Sequence, residues 1–574
     1  MKNIFLILFI SATLFNIVSK AQYERETRAV WVATNFRLDW PPATPDQQKQ
    51  KQALIQIFDN IKSKNLNTVY FQAECNGTAM FHSSYEPLSP YITGDVNGNA
   101  SYDPLQFAIE QAHKRGLEIH AWVNVFKCFN GNETNILNNP NHITKKKPSW
   151  IIEDTRDGQK SYWLDPGLPE VREYVSNIYA EMVERYNLDG VQLDYIRYPG
   201  KNFGDEFSYS VYGKNENIDE WRRQNITDAV ALIYKKIKAE KSFVKVGAAP
   251  IGIYKNINGA VGWEGYSEIY QDSREWLKLG IVDYLTPQIY WALNDKPRFD
   301  VLAKDWIHNS YSRNIVVGIG AYKEKVKSEL DQMIQFTRAI NASGVAFFRY
   351  SNIKDYNFRS FPYKTFPSAM AWLEKDSQKH LPQPPDNFMI REVDHAKHIF
   401  DMSWDPGEIK TRNDSARYFA LYSLPDSNSE AHSDHLFDLI PYNQTSLTIA
   451  IEKPKRINYY FVMKSVNKLW DESKEESNRI EVKFPVLKDL AVDKDALNNP
   501  VLLKNKEGKY RVLISLNRKE NVNIYGMKDN INVKIMSENL LPGKNVLSIG
   551  NSISGYSALK ILFNSSGKQT ELKL

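Results

Sequence analysis

The sequence predicts an α/β chain in which a (β/α)8 TIM barrel is followed by two small all-β sandwich domains. Eight short β-rich runs alternate with amphipathic helical segments up to about residue 372, and this alternation is typical of a barrel. A proline-rich stretch at 381–385 then leads into short strands of alternating apolar residues. The length of 574 residues exceeds what one hydrophobic core supports, which agrees with several domains.

The first residues have the form of an export signal. Met1-Lys2-Asn3 is followed by an apolar run from Ile4 to Val18 and by Ser19-Lys20-Ala21, which predicts a cleavable signal peptide at 1–21. No cysteine lies near the expected cleavage site, and no later run reaches the length of a transmembrane helix. We therefore expect a periplasmic or secreted protein that has neither a lipid anchor nor a membrane span after signal cleavage.

The predicted barrel domain occupies residues 22–378. Two helices stand out between its strands: one from Asp103 to Arg115 with a capping Asp-Pro start, and an amphipathic one from Pro169 to Tyr186. Eight β/α units in about 350 residues predict a closed barrel with insertions. The eight β-rich runs are 28–35, 68–74, 118–124, 189–197, 245–252, 283–291, 314–322 and 344–351.

Two β-rich domains are predicted after the linker. Residues 379–482 have Trp404 in an early strand, tyrosines in a middle strand and Tyr-x-Phe-x-x-x-x-Val-Asn from Tyr459 to Asn467. In these features they resemble a fibronectin type III module. Residues 483–574 form a further set of strands and resemble the small immunoglobulin-like domains that end many envelope proteins. Their loops contain no feature that identifies a protein partner.

The composition bears on partners and cofactors. The net charge of +5 is spread along the chain without a basic stripe, so we expect no nucleic-acid partner. The few histidines lack the spacing of metal ligands, so we expect no metal and no other cofactor. Aromatic residues make up 13% of the chain, which suits both sugar stacking and the cores of β domains. The two cysteines, Cys75 and Cys128, either pair after export or remain free.

The run from Asp189 to Pro199 predicts a central strand with one polar face. Val191 and Leu193 can face an apolar layer, while Gln192 and Asp194 face the opposite side. Barrel interiors are usually filled by branched aliphatic residues, so a convergent ring of polar side chains predicts a functional site. By the same alternation, the other inward residues are Tyr70, Gln72 and Glu74, His120, Trp122 and Asn124, and Thr286, Gln288 and Tyr290.

Several sequence motifs follow one another along the predicted barrel. They are Arg28-Ala29-Val30-Trp31, Tyr102-Asp103-Pro104-Leu105, His120-Ala121-Trp122-Val123-Asn124, Leu164-Asp165-Pro166-Gly167, the run from Asp189 to Pro199, Trp221-Arg222-Arg223-Gln224-Asn225, Asp272-Ser273-Arg274-x-Trp276-Leu277 and Pro287-Gln288-Ile289-Tyr290-Trp291. In these motifs and their order the chain resembles glycosyl-hydrolase-like family 10. The resemblance implies glycan hydrolysis, with peptidoglycan glycan strands as the substrate. Two departures are Glu74, where relatives commonly have Arg, and Asn124-Val125, where many have Asn-Pro.

Hydrolysis of a glycoside requires a proton donor and a carboxylate that attacks the anomeric carbon or activates water. We expect Asp194 to be that carboxylate, because its strand end lies in the polar ring. The proton donor is Glu74 or Glu264, with Asp295 or another group as a further candidate. The separation of the two carboxyl groups, which decides between retention and inversion, is not contained in the sequence. The expected substrate contacts are Trp31, Gln72, Trp122, Asn124, Asp165, Arg197, Trp263, Gln288, Tyr290 and Trp291.

Two other functions fit the same sequence. One is a glycan-binding barrel without turnover, which the β domains would hold near a surface or a partner. The other is a metal-dependent polysaccharide deacetylase, which is less compatible with the histidine spacing.

Overall fold

A computed structural model gives the architecture of the chain. The chain divides into two compact units, one made of Met1–Lys379 with Lys468–Trp470 and the other of His380–Asn467 with Asp471–Leu574. The described residues are 25–131, 134–156, 158–373, 381–394, 398–407, 416–451, 458–484, 500–504, 510–516, 520–528, 531–540, 543–550, 553, 555–564 and 568–574.

The first unit is a closed barrel of eight parallel strands, as the sequence predicts. The strands follow one another around the barrel in chain order, and the first and second strands pair to close the circle. Each predicted run contains one of these strands. They are β1 (Thr27–Val32), β2 (Thr68–Cys75), β4 (Glu118–Asn124), β8 (Gly190–Asp194), β9 (Lys245–Ala248), β10 (Tyr284–Leu285), β11 (Asn314–Ile319) and β12 (Gly344–Phe347).

Four shorter strands lie in the loops at the carboxyl ends of the barrel strands. β3 (Thr78–Ala79) pairs with the end of β2. The long connection after β4 contains β5 (Lys127–Asn130), β6 (Ile151–Arg156) and β7 (Gln159–Leu164), which form an antiparallel sheet. This connection is one of the insertions that the sequence predicts for the barrel, and part of it is a small sheet.

The helices of the first unit alternate with its strands. Asp103 accepts a hydrogen bond from the backbone N of Gln106 (2.9 Å) and so caps the predicted helix that follows it. The helices predicted at 103–115 and 169–186 are α3 and α5. The helices are α1 (Gln47–Ser63), α2 (Pro90–Thr93), α3 (Pro104–His113), α4 (Ile143–Lys146), α5 (Pro169–Arg185), α6 (Glu206–Tyr212), α7 (Ile218–Glu240), α8 (Gly265–Glu268), α9 (Ser273–Leu279), α10 (Phe299–His308), α11 (Glu324–Ser328), α12 (Leu330–Ala339) and α13 (Tyr350–Ile353).

Alternation along the strands separates an outer apolar layer from a partly polar interior. On β8, Val191 and Leu193 belong to the large apolar cluster that also contains the buried helix residues. Deep in the barrel, the ammonium of Lys245 contacts the carboxylate of Glu118, and His120 Nδ1 lies 2.7 Å from the Tyr284 hydroxyl. His120 is thus part of a buried polar layer beneath the barrel mouth. The polar residues predicted to face inward therefore lie at two levels, one at the barrel mouth and one buried beneath it.

Among its described residues, the second unit has four antiparallel sheets and two apolar clusters. The strands are β13 (Asp386–Asp394), β14 (Ile399–Asp405), β15 (Tyr418–Leu424), β16 (Leu436–Pro441), β17 (Ser446–Ala450), β18 (Asn458–Val466), β19 (Ile480–Lys483), β20 (Val501–Lys504), β21 (Tyr510–Leu516), β22 (Glu520–Lys528), β23 (Ile531–Leu540), β24 (Gly543–Gly550), β25 (Ala558–Phe563) and β26 (Gln569–Lys573). One cluster, which includes Trp404 and Phe461, takes residues from the sheets β13-β14-β17 and β16-β15-β18-β19. The other, which includes Ile514 and Ile561, takes residues from the sheets β20-β21-β24 and β23-β22-β25-β26.

The residues outside the barrel strands and helices carry further predictions from the sequence. The domain bounds at 379–482 and 483–574, and the fibronectin type III likeness, stay predictions. The signal peptide at 1–21 lies outside the described residues. Across the described helices, none combines the length and apolar character that a membrane crossing needs. Cys75 and Cys128 are both buried, and no disulfide joins them.

Candidate active site

Asp194 ends β8 at the mouth of the barrel, where three donors orient its carboxylate. Trp122 Nε1 donates to Asp194 Oδ2 (3.1 Å), and the backbone N of Tyr195 donates to Oδ1 (2.8 Å). Gln288 Nε2 lies 3.4 Å from the same Oδ1. The carboxylate is therefore held by a residue of β4, by a residue shortly after β10 and by its own chain, and it remains partly accessible.

Opposing effects set the protonation of Asp194. Burial is the largest effect, and it raises the pKa of this carboxyl. The Tyr195 N–H, the Arg197 guanidinium, the Trp122 N–H and the Lys127 ammonium favour the ionised form, but the pKa remains above its ordinary value. A carboxyl group with a raised pKa is suited to proton transfer nearer to neutral pH.

Two cations lie among aromatic rings beside Asp194. The guanidinium of Arg197 stands 5.1–5.4 Å from the ring centroids of Tyr195, Trp163 and Trp263. The ammonium of Lys127 lies 4.8 Å from the ring centroid of Tyr195. Burial, followed by Arg197, lowers the pKa of Lys127 to about 8. Arg197 is among the residues predicted from the sequence, whereas Lys127 is not, although its place three residues after Asn124 puts it at the barrel mouth.

Asn124 offers an unused acceptor next to Asp194. The two residues are paired in register on β4 and β8. Asn124 Oδ1 is buried and has no hydrogen-bond partner among the described atoms, and Gln192 Oε1, deeper in the barrel, is in the same state. An unsatisfied buried acceptor is costly, so a ligand hydroxyl that reached Asn124 would gain a hydrogen bond that the free protein lacks.

Glu74 lies on the outer side of the barrel wall. Strict alternation along β2 predicts that it faces inward, and this orientation is wrong. A β-bulge between Gln72 and Glu74 reverses the face, so Glu74 pairs with Val123, which packs in the outer apolar cluster. Glu74 Oε2 accepts a hydrogen bond from the backbone N of Asn124 (2.9 Å). Burial, together with the nearby Glu86, raises the pKa of Glu74 well above its usual range.

Glu264 and Asp165 organise loops around the mouth. Glu264 Oε2 accepts from the backbone N of Asn256 (2.7 Å), and the Ser267 hydroxyl donates to its Oε1. Asp165 Oδ1 accepts from the backbone N of Gly167 (2.8 Å), and burial raises the pKa of Asp165 to about 6. No hydrogen bond or ion pair joins either residue to Asp194 in the part of the chain that the structure describes.

Trp31 packs inside the barrel, and Gln72 holds the loop that follows β1. The ring of Trp31 is buried edge-on against Tyr70, with centroids 5.1 Å apart. Gln72 Oε1 accepts from the backbone N of Thr34 (3.0 Å) and of Asn35 (2.9 Å). Neither side chain has an open face at the mouth, so both support the site from beneath.

The remaining aromatic candidates differ in how much ring they expose. Trp263 is 49% exposed, so part of its ring surface is accessible beside the Arg197 guanidinium. The ring of Tyr290 stacks on Phe348 at 5.6 Å, and burial, followed by Asp194, raises the pKa of Tyr290 well above its usual range. Trp291 is half-buried against the outer apolar cluster. Among these three, Trp263 fits a stacking role best, and Tyr290 lies in the electrostatic surroundings of Asp194.

The fold and the site define a class of protein. A (β/α)8 barrel with an oriented carboxyl group, amides and aromatic rings at the carboxyl ends of its strands has the architecture of barrel glycosidases. The family model described as glycosyl hydrolase-like 10 matches residues 26–338. This chain belongs to the glycosyl hydrolase-like 10 family.

Known proteins similar to this chain include two named glycosyl hydrolases. Glycosyl hydrolase YngK of Bacillus subtilis (strain 168) is 30% identical over 500 residues, which cover 80% of this chain and 94% of the relative. Glycosyl hydrolase DigH of Escherichia coli (strain K12) is 35% identical over 340 residues, which cover 54% and 77%. Among solved structures, the glycoside hydrolase domain of PgaB (BpsB) from Bordetella bronchiseptica matches 58% of this chain and 99% of its own, with 13% identity and a TM-score of 0.43.

Proposed function

We propose that this chain hydrolyses glycosidic bonds of a bacterial envelope glycan, with peptidoglycan glycan strands as the substrate. The observation that carries the proposal is the Asp194 carboxylate, which three donors orient at the barrel mouth beside the unpartnered oxygen of Asn124. Membership of a glycosyl hydrolase-like family supports the same reaction class. Export of the mature chain to the periplasm or the medium would bring it to such a substrate.

Asp194 is the proposed base or nucleophile. In an inverting reaction it takes a proton from the water that attacks the anomeric carbon, and in a retaining reaction it attacks that carbon itself. The hydrogen bonds from Trp122 and Gln288 hold the carboxylate in one orientation for either step. The leaving oxygen receives a proton from a second acid as its bond to the anomeric carbon breaks. In the inverting reaction, the hydroxyl of the attacking water stays on that carbon. In the retaining reaction, a second step follows, in which a water gives its proton to the former acid and cleaves the ester between Asp194 and the sugar.

The proposed second acid comes from a loop at the barrel mouth. The two candidates are Glu264, which follows β9, and Asp154, which lies on β6. Asp154 contributes, like Asp194, to the electrostatic surroundings of Lys127. Glu74 is not proposed for this role, because the bulge directs it away from the mouth. A substrate with a good leaving group identifies the acid, since the variant that lacks the acid keeps turnover only on that substrate.

The cations and the exposed ring suit an anionic sugar. Lys127 and Arg197 stand beside Asp194 and are placed to meet a carboxylate on the glycan, while Trp263 is placed to stack on a ring face. Muramic acid residues of peptidoglycan strands without peptides carry such a carboxylate. The proposed substrate therefore agrees with the charges at the site.

The test uses the mature full-length chain with peptide-free glycan strands, intact sacculi and a panel of neutral polysaccharides. We expect new reducing ends from the parent protein on peptidoglycan strands. We expect Asp194→Asn to reduce their rate of formation by about 1,000-fold or more while strands still bind. Unchanged turnover by Asp194→Asn would remove this residue from the mechanism.

A second candidate function is glycan binding without turnover. It is favoured by one observation on the two expected proton donors: Glu74 faces outward, and both carboxylate oxygens of Glu264 accept hydrogen bonds from its own loop. Strand binding by the parent protein without new reducing ends on any glycan would establish this function instead.

A further inference from the structure

A polar pocket lies outside the barrel mouth. It has a volume of about 520 Å³ and is lined by residues 82–88 and 96–99 from the connection after β2, together with Asn139, Asn141 and Lys146. Its wall is fixed to α5, because the Ser83 hydroxyl and the backbone N of Ser84 each donate to Glu181 at 2.9 Å. Asp194 and its donors do not line this pocket.

Glu86 is the unusual residue in the lining of this side pocket. It is only 8% exposed, and its Oε2 is buried without a hydrogen-bond partner among the described atoms. Burial, followed by Glu181, raises the pKa of Glu86 to about 8, although the Lys146 ammonium opposes this. At neutral pH the carboxyl group therefore keeps its proton and has both a donor and an acceptor to offer.

The described polar groups around Glu86 leave its Oε2 without a hydrogen bond. Glu74, behind it, has a raised pKa of its own and bonds to the backbone of Asn124. The Tyr174 hydroxyl, whose electrostatic surroundings include Glu86, is also buried and unpartnered among the described atoms. Buried polar groups without partners are rare in folded proteins, so two of them beside one pocket favour a bound water, ion or ligand that completes the network.

The chemistry of the rim favours a sugar as that molecule. Asn97, Asn99 and Asn141 are exposed at the pocket, and side-chain amides form paired hydrogen bonds with neighbouring hydroxyl groups. The ring of Tyr85, held edge-on by Tyr174 at 5.8 Å, adds an aromatic surface. The volume lies in the range of about 300–1,000 Å³ that is usual for small-ligand sites.

We propose that the side pocket is a second saccharide site, which binds neutral, hydroxyl-rich sugar units of the glycan away from Asp194 and uses Glu86 as a hydrogen-bonding group at its buried side. This inference rests on the proposed glycan substrate but not on turnover. A site of this kind holds a long strand at two places and raises its affinity through effective concentration.

The experiment measures strand binding in an Asp194→Asn background, in which the glycan is not consumed. Isothermal titration with peptide-free glycan strands compares Asp194→Asn alone with the same chain carrying Glu86→Gln or Glu86→Leu. The two changes are matched in size, and glutamine alone keeps a donor and an acceptor. We expect Glu86→Leu to weaken strand binding by about five- to tenfold and Glu86→Gln to keep it within about twofold.

Each outcome decides the proposal. Equal binding by the glutamine and leucine variants would show that Glu86 is only a buried structural acid. If Glu86→Leu does not fold, the exposed pair Asn97→Ala and Asn141→Ala replaces it, with the same expected loss. A thermal shift of the parent protein with Ca²⁺ alone, absent in Glu86→Gln, would identify a cation site and overturn the saccharide site. No strand binding by any variant, with no hydrolysis by the parent, would instead refute the proposed function.

Discussion

Trp122 Nε1 donates a hydrogen bond to Asp194 Oδ2 across 3.1 Å, from β4 to the neighbouring strand β8. The indole is almost fully buried, so the packing around it fixes the position of this donor. Because the hydrogen bond favours the ionised carboxylate, it opposes the burial that raises the pKa of Asp194. Trp122, expected from the sequence as a substrate contact, thus has a positioning contact with the candidate catalytic group.

The first prediction concerns this hydrogen bond. We expect Trp122→Phe to raise the pKa of Asp194 further, so that the acidic limb of kcat/KM against pH moves to higher pH. We also expect kcat to fall by about 10- to 100-fold, because a hydrogen bond to a charged group contributes about 1.5–3 kcal/mol. Rates between about pH 4 and about pH 9 measure both effects.

A matched control comes from another buried tryptophan of the barrel unit. Trp276 Nε1 donates to the Thr227 hydroxyl at 3.3 Å, on the helices behind the strands. Trp276→Phe removes an indole donor of the same kind, and we expect it to leave the acidic limb in place. If both variants moved the limb equally, general destabilisation rather than the contact with Asp194 would be the cause.

The second prediction concerns Lys127, whose pKa lies at about 8. As the pH rises through this value the ammonium loses its proton, and the site loses a cation beside Asp194. We therefore expect KM for peptidoglycan strands to increase above about pH 8. In Lys127→Arg the side chain stays charged, so this increase should disappear from the profile. An alkaline limb at the same pH in both proteins would assign it to another group.

The sequence predicts much of the barrel because the barrel is built from local patterns. Each β-rich run contains a strand, and Asp103 caps α3 as its position before Pro104 indicates. Asp194 is also recovered at the carboxyl end of its strand, since alternation holds throughout β8. These features depend on residues that are close in the sequence.

Glu74 and Lys127 show where the same reasoning fails. The bulge before Glu74 adds one residue to β2, and a shift of one residue reverses the face of a side chain. Lys127 resembles an ordinary surface lysine in the sequence, and its role depends on Arg197, Tyr195 and Asp194, which the fold brings together. Such relationships depend on tertiary structure that a local pattern does not contain.

The third prediction concerns the stability of the side pocket against pH. Glu86 has a pKa of about 8 in the folded chain, above its ordinary value. The folded state therefore binds more protons than the unfolded state between about pH 4.5 and about pH 8, and stability falls as the pH rises through this range. Glu86→Gln cannot ionise, so we expect it to be more stable than the parent at about pH 9 by a few kcal/mol and nearly equal at about pH 4. Denaturant unfolding at the two pH values measures this difference, and a gap independent of pH would contradict it.

The last prediction compares a buried and an exposed ion pair. Glu118 and Lys245 contact each other inside the barrel with side chains 2% and 4% exposed, whereas Glu153 and Lys160 pair at 2.7 Å with 46% and 55% exposed. Glu118→Gln leaves the Lys245 ammonium without its countercharge in a low-dielectric interior, so we expect it to lower the free energy of unfolding by about 3–5 kcal/mol. Glu153→Gln makes the same chemical change at the surface, where water replaces the lost partner, and we expect a loss below about 1 kcal/mol. Chemical denaturation at neutral pH and moderate salt compares the two variants. Equal losses would mean that another group of the interior replaces the countercharge of the Lys245 ammonium.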